Sequence, residues 1–145
     1  MANYEEALSH CRWKSQLLQV INLIDINDYK NKNFEDIFIM IYNITKNING
    51  IGKLATYDLT SSICKYYNIN IDKVYIIGSG PKRAIKLLDI KPTKIKIGNI
   101  FIKFVEIHDI INSFENKLYN IPINIKHCNN GDTIETFICQ WQKQY

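Results

Sequence analysis

The sequence predicts a mainly α-helical domain carrying one small β-hairpin, and three features predict it. Most apolar residues recur three and four positions apart, the spacing of one helix face. One stretch, 93–106, breaks that rhythm and alternates instead. At 145 residues the chain is long enough to bury its own core as a single domain, 1–145, without disulfide or metal staples. No linker, repeat or low-complexity tract divides it.

The segment "NYEEALSHCRWKSQLLQVINLIDI" is expected to form the first helix. Asn3 caps it, Glu5 and Glu6 lie in its first turn, and Tyr4, Ala7, Leu8, Cys11, Leu17, Val20, Ile21 and Ile24 repeat at helical spacing. A second helix follows in "FEDIFIMIYNITKNI", capped by Asn33 with Asp36 at the third position. Its core face is Phe34, Ile37, Phe38, Ile41, Ile44 and Ile48. After Gly50-Ile51-Gly52 a third helix runs from Lys53 to about Tyr66. "NINIDK" is a loop, and "VYII" a short buried element whose uninterrupted apolar run fits strand or helix.

"GSGPKRAIKLLDI" supplies a turn and a short helix, with Ser79 or Gly80 as cap and Pro81 at the first helical position. The alternating "TKIKIGNIFIKFVE", with Gly98-Asn99 between its halves, is a hairpin over about 93–106. Helical spacing returns through Ile107, Ile110, Ile111, Phe114 and Leu118, and "IPINIKHCNN" is extended or loop. A last helix over about 132–143 starts at Asp132, with Glu135 completing a capping box and Ile134, Phe137, Ile138 and Trp141 buried.

No uncharged stretch is long enough to cross a bilayer, and "MANYEEALSH" has no apolar signal region. The expectation is a cytoplasmic protein with no membrane partner. Four cysteines and three histidines stand in no metal-ligand spacing, so no metal and no cofactor is expected. The net charge is +4, and of the 18 basic residues all but Arg12 and Arg83 are lysine. That balance, with abundant Ile and Asn, follows the codon bias of an AT-rich genome, so the position of the lysines carries more information than their sum.

The informative spot is "NINGIGKLATYD". Glycines in a tight helix–helix turn reach positive φ without a Cβ clash. The middle residue, Ile51, can then join the core while the amides of Gly52, Lys53 and the next helix's first residues face outward. Lys53 adds charge beside them, which suits a phosphate oxygen. "IIGSGPKRAIKLL" repeats the theme as a degenerate second turn over about 74–90, with Gly78, Ser79 and Gly80 followed by Lys82, Arg83 and Lys86. Ser79 stands there where an apolar plug is preferred.

The pattern from Phe34 to Tyr66 resembles the helix-hairpin-helix of DNA glycosylases, ligases and repair nucleases, a module that grips a phosphodiester backbone without reading bases. The resemblance implies sequence-independent nucleic-acid binding, DNA ahead of RNA, through Gly50, Ile51, Gly52 and Lys53. The lyase lysine of such glycosylases falls here on Leu54, so that mechanism is not available. Their catalytic aspartate would fall near Asp72, in an exposed polar loop. Tyr57 and Asp58 stand where such modules carry small residues, and with Glu135 they are the catalytic candidates of an alternative reading, an enzyme acting on nucleic acid or a nucleotide that would bring them together with His10 or Arg12.

The segments "GIGKLATYDLTSSIC", "VYIIGSG", "PKRAIKLL" and "TIETFICQWQK" also resemble a group of small uncharacterised bacterial proteins. That likeness covers 47–90 and 132–143, leaves 91–131 unmatched, and implies a shared fold with a helix-hairpin-helix element but no activity. A third reading is a protein-interaction module, with a protein partner in a larger assembly.

Overall fold

The computed structural model describes residues 31–47 and 51–145. The helix expected before residue 31 lies outside them, as do Ile48, Gly50, His10 and Arg12. The chain falls into two compact units, Met1–Asn70 and Ile71–Tyr145. Six α-helices and a three-stranded antiparallel sheet make up the described residues, so the chain is mainly helical, as expected. No helix among them is long and apolar enough to cross a membrane.

In the first unit α1 spans Phe34–Thr45 and α2 Lys53–Tyr66. The capping box on α1 forms: the Asp36 amide donates to Asn33 Oδ1 at 2.9 Å and the Asn33 amide to Asp36 Oδ2 at 3.3 Å. Phe34, Ile37, Phe38 and Ile41 are buried, as the spacing requires, whereas Ile44 is only half-buried and Thr45 beside it is buried instead. The two helices pack closely because small side chains face each other. Thr45 and Thr56 are both fully buried with their hydroxyls 3.5 Å apart. Each also donates back to its own helix, Thr45 to the Ile41 carbonyl and Thr56 to the Gly52 carbonyl, both at 2.9 Å, so neither buried hydroxyl is unsatisfied.

In the second unit β1 (Lys73–Ile76), β2 (Thr93–Ile97) and β3 (Ile100–Glu106) form one sheet in the order β1-β3-β2. Ile97 pairs with Ile100 across the two-residue Gly98-Asn99 loop. Gly98 has φ 61 and Asn99 does not share the positive value, which is the pattern of a II′ turn with glycine first. The "VYI" of the uncertain apolar run is strand β1. Val74, Tyr75 and Ile76 are all buried, so both faces of β1 are covered and no alternation marks it.

Val74, Ile76 and Val105 form one sheet face. It carries the core with Ala84, Ile85 and Leu88 of α3 (Ser79–Leu87 and its C-cap), Ile110 and Phe114 of α4 (Ile107–Asn116), Ile125 of α5 (Ile123–Lys126), and Ile134, Ile138 and Trp141 of α6 (Gly131–Trp141). A 3-10 turn, Gln142–Gln144, follows. The stretch expected to be extended or loop thus contains one helical turn, α5.

The cap of the last helix and the end of α4 differ from expectation. The cap of α6 is Asn130, whose Oδ1 accepts from the amides of Asp132 and Thr133 at 3.0 and 3.1 Å, so Asp132 and Glu135 form no capping box. Leu118 is not on the core face of α4 but 90% exposed, in left-handed backbone at φ 57. It is the turning residue of a Schellman ending: the Leu118 amide donates to Glu115 and the Tyr119 amide to Phe114. Tyr119, not Leu118, packs back on Phe114, with ring centroids 5.9 Å apart. The same ending closes α2 at Asn68 and α3 at Asp89, both at positive φ. A branched side chain is costly in this conformation. Leu118→Gly is therefore expected to stabilise the protein by about 1 kcal/mol, read as a rise in melting temperature by circular dichroism.

Candidate nucleic-acid interface

The first turn is built by α1 and α2. Ile51 is 8% exposed and so buried at the start of α2, the placement expected of an apolar plug. Gly52 is the N-cap, and Gly52 and Lys53 are exposed. Contrary to the expectation of positive φ, Gly52 is extended, with φ −111 and ψ −160. Its neighbour Gly50 lies outside the described residues. A Cβ at Gly52 would meet nothing within 4 Å, so neither backbone strain nor crowding demands glycine there. The missing side chain instead leaves the start of α2 open. The cap makes no side-chain hydrogen bond, and the first turn of α2 holds no acidic residue. The positive end of the helix dipole therefore has no carboxylate of its own helix against it.

The second turn is organised differently. The cap of α3 is Gly78, not Ser79 or Gly80, and Pro81 is the third helical residue rather than the first. Proline is tolerated there because the first-turn amides have no intrahelical acceptor. Gly80 faces α6: a Cβ on it would come to 2.5 Å from Cys139 Sγ, so its role is close helix packing. Arg83 is engaged as well. It donates to the carbonyl of Gln142 at 2.5 Å, to Gln142 Oε1 at 2.6 Å, and to the carbonyl of Tyr145, which fixes the 3-10 turn. Ser79, Lys82, Arg83 and Lys86 are all exposed, and the two lysines, one helical turn apart, share a face without the tie to the 3-10 turn that holds Arg83.

The catalytic candidates do not converge within a unit. Tyr57 is 4% exposed and packs on Phe34 at a ring-centroid distance of 5.7 Å, which makes it a core aromatic of the α1–α2 pair. The half-buried Asp58 accepts through its main-chain carbonyl from the hydroxyls of Ser61 and Ser62, at 3.1 and 2.8 Å. Glu135 stands one turn before Cys139 on α6, and burial, then the Glu135 charge, pushes the Cys139 thiol up, so it stays protonated near neutral pH. Asp72 is exposed.

An open cleft of about 510 Å³ lies between the end of α3 and α4, lined among others by Asp89, Lys91, Asp109 and Ser113. None of Tyr57, Asp58 or Glu135 lines it. Among the described residues no cluster of three or more His, Cys, Asp or Glu is placed to hold a metal.

Sequence reasoning missed one exposed aromatic, Phe101, which is 49% exposed on β3. The strand alternation carried the signal, since Phe101 shares the parity of Lys103. Searches of protein-family models, curated proteins and solved structures give no match to the chain.

Proposed function

We propose that the chain is a sequence-independent nucleic-acid-binding protein, with DNA its preferred partner, that grips the phosphate backbone through a helix-hairpin-helix formed by α1 and α2. The observation that carries this reading is the division of labour at Ile51-Gly52-Lys53. Ile51 is buried and holds the turn, while Gly52 and Lys53 are exposed at a helix start that has neither a capping side chain nor a first-turn acid. A phosphate oxygen there meets backbone donors, a helix dipole and a lysine together. In the second unit Lys82 and Lys86, beside Gly78 and Ser79, supply further positive charge on α3. Arg83 and Gly80 serve packing and anchoring instead.

The test is fluorescence anisotropy with labelled duplex DNA at two salt concentrations, comparing wild type with Lys53→Glu and Gly52→Asp. Lys53→Glu is expected to weaken binding about ten-fold or more and to reduce the salt slope by about 1. Gly52→Asp separates function from folding. Aspartate is a favoured N-cap and has room, so the variant should fold at least as well as wild type, yet its carboxylate would occupy the phosphate position and lower affinity. Wild-type affinity in both variants would exclude the turn as the contact.

A further inference from the structure

We propose that the exposed face of the hairpin tip, formed by Lys94, Lys96, Phe101 and Lys103, is a platform for single-stranded nucleic acid, with a base stacked on Phe101 and the lysines holding the flanking phosphates. The platform belongs to the second unit, uses none of the Ile51–Lys53 turn, and stands or falls independently of it.

The register puts the four residues together. Lys94 is directly opposite Lys103 and Lys96 directly opposite Phe101, so all four project from one face of β2 and β3. This is the face that carries the core at Val74, Ile76 and Val105, but at the hairpin tip all four side chains are exposed. Lys94 Nζ lies 4.9 Å from the centre of the Phe101 ring, a cation–π contact that brings charge and aromatic surface into one patch. No ion pair involving the three lysines is present among the described residues. Two like charges directly opposite on neighbouring strands repel. An anion bound between Lys94 and Lys103 would remove that repulsion.

Protection of a sheet edge explains lysines on β2, since charge there deters strand addition. It does not explain Phe101, because an exposed aromatic beside an edge invites association. Charge and ring together select the partner. An acidic peptide offers charge without a row of flat faces, and a duplex offers phosphates but hides its bases in the stack. A single strand offers both. Lys94 and Lys96, two positions apart on one strand, are about 7 Å apart along it, a spacing suited to successive phosphates of an extended chain.

The experiment measures anisotropy of labelled oligodeoxythymidine and of a mixed-sequence duplex with the full chain. Wild type is compared with Phe101→Ala, Phe101→Leu, the Lys94→Gln/Lys103→Gln pair, and Lys53→Glu. Phe101 is exposed, so its variants should melt as wild type does, and Phe101→Leu keeps apolar bulk while removing the stacking ring.

Both Phe101 variants are expected to bind oligodeoxythymidine about ten-fold more weakly with duplex binding unchanged. The lysine pair should lower the salt slope by about 1.4. Wild-type affinity for oligodeoxythymidine in both Phe101 variants overturns the platform, as does equal weakening for duplex and single strand. Loss with Lys53→Glu but not with Phe101→Ala overturns the platform and leaves the turn standing. Weaker oligodeoxythymidine binding with Phe101→Ala but not with Lys53→Glu supports the platform, and the turn is then decided by the duplex arm of Lys53→Glu alone. Poly-glutamate that competes as well as unlabelled oligodeoxythymidine would also overturn it, since charge alone would then suffice.

Discussion

Gly131→Ala is expected to unfold the second unit or to destabilise it by at least about 3 kcal/mol, more than a methyl added at Gly52 or Gly80. A Cβ there would lie 1.7 Å from the Lys73 carbonyl oxygen, 2.5 Å from its carbon and 3.2 Å from the Ile71 oxygen. These are backbone atoms and cannot rotate aside as a side chain would. The Gly131 amide also donates to the Ile71 carbonyl, at 2.5 Å, so helix and chain are tied at the point of contact. Relief would require α6 to move away from β1. Ile134, Ile138 and Trp141 would then be drawn from a core they share with Val74 and Ile76. Thermal denaturation by circular dichroism should show a fall in melting temperature of about 10 °C or more. A variant melting within about 2 °C of wild type would mean that α6 does not approach β1 this closely.

Phe114→Ala is expected to cost about 3–5 kcal/mol, measured by urea denaturation. Phe114 is fully buried and is the hub of an aromatic cluster, with Trp141, Phe137 and Tyr119 at ring-centroid distances of 4.9, 5.5 and 5.9 Å. Truncation removes its own transfer free energy and leaves a cavity that three large rings cannot easily fill. It also removes the anchor of the Schellman ending at α4, where Tyr119 folds back on Phe114. A cost under about 1 kcal/mol would show that the cluster repacks freely.

What could be read in the sequence was local. The α1 capping box needs only Asn33 and Asp36, three apart, so α1 starts where expected, although it ends at Thr45 and not at Ile48, and α2 has both expected bounds. The β2–β3 hairpin needs only alternation and Gly98-Asn99. What failed depended on distant partners. Nothing near Gly131 says that the Lys73 backbone passes beside it, and nothing near Gly80 announces Cys139. Arg83 looks like a phosphate ligand until Gln142 is seen to accept from it. Strand β1 hid because both its faces are buried.

Leu118 misled for a different reason. An apolar residue four after Phe114 continues a helix pattern, and only the backbone reveals that the helix has ended. For the candidate site, burial of Ile51 was legible from G-x-G between two helices. The extended conformation of Gly52 was not, because an N-cap and a positive-φ turn residue can both be glycine.

A two-dimensional amide NMR titration of the isotope-labelled protein with a short DNA duplex at low salt tests the phosphate clamp at its backbone donors. The amides of Gly52, Lys53, Leu54 and Ala55 are expected to shift first and furthest, and added salt to reverse the change. If those four amides stay in place while others move, or if no amide moves at all, the α1–α2 turn is a helix connector and not a phosphate clamp.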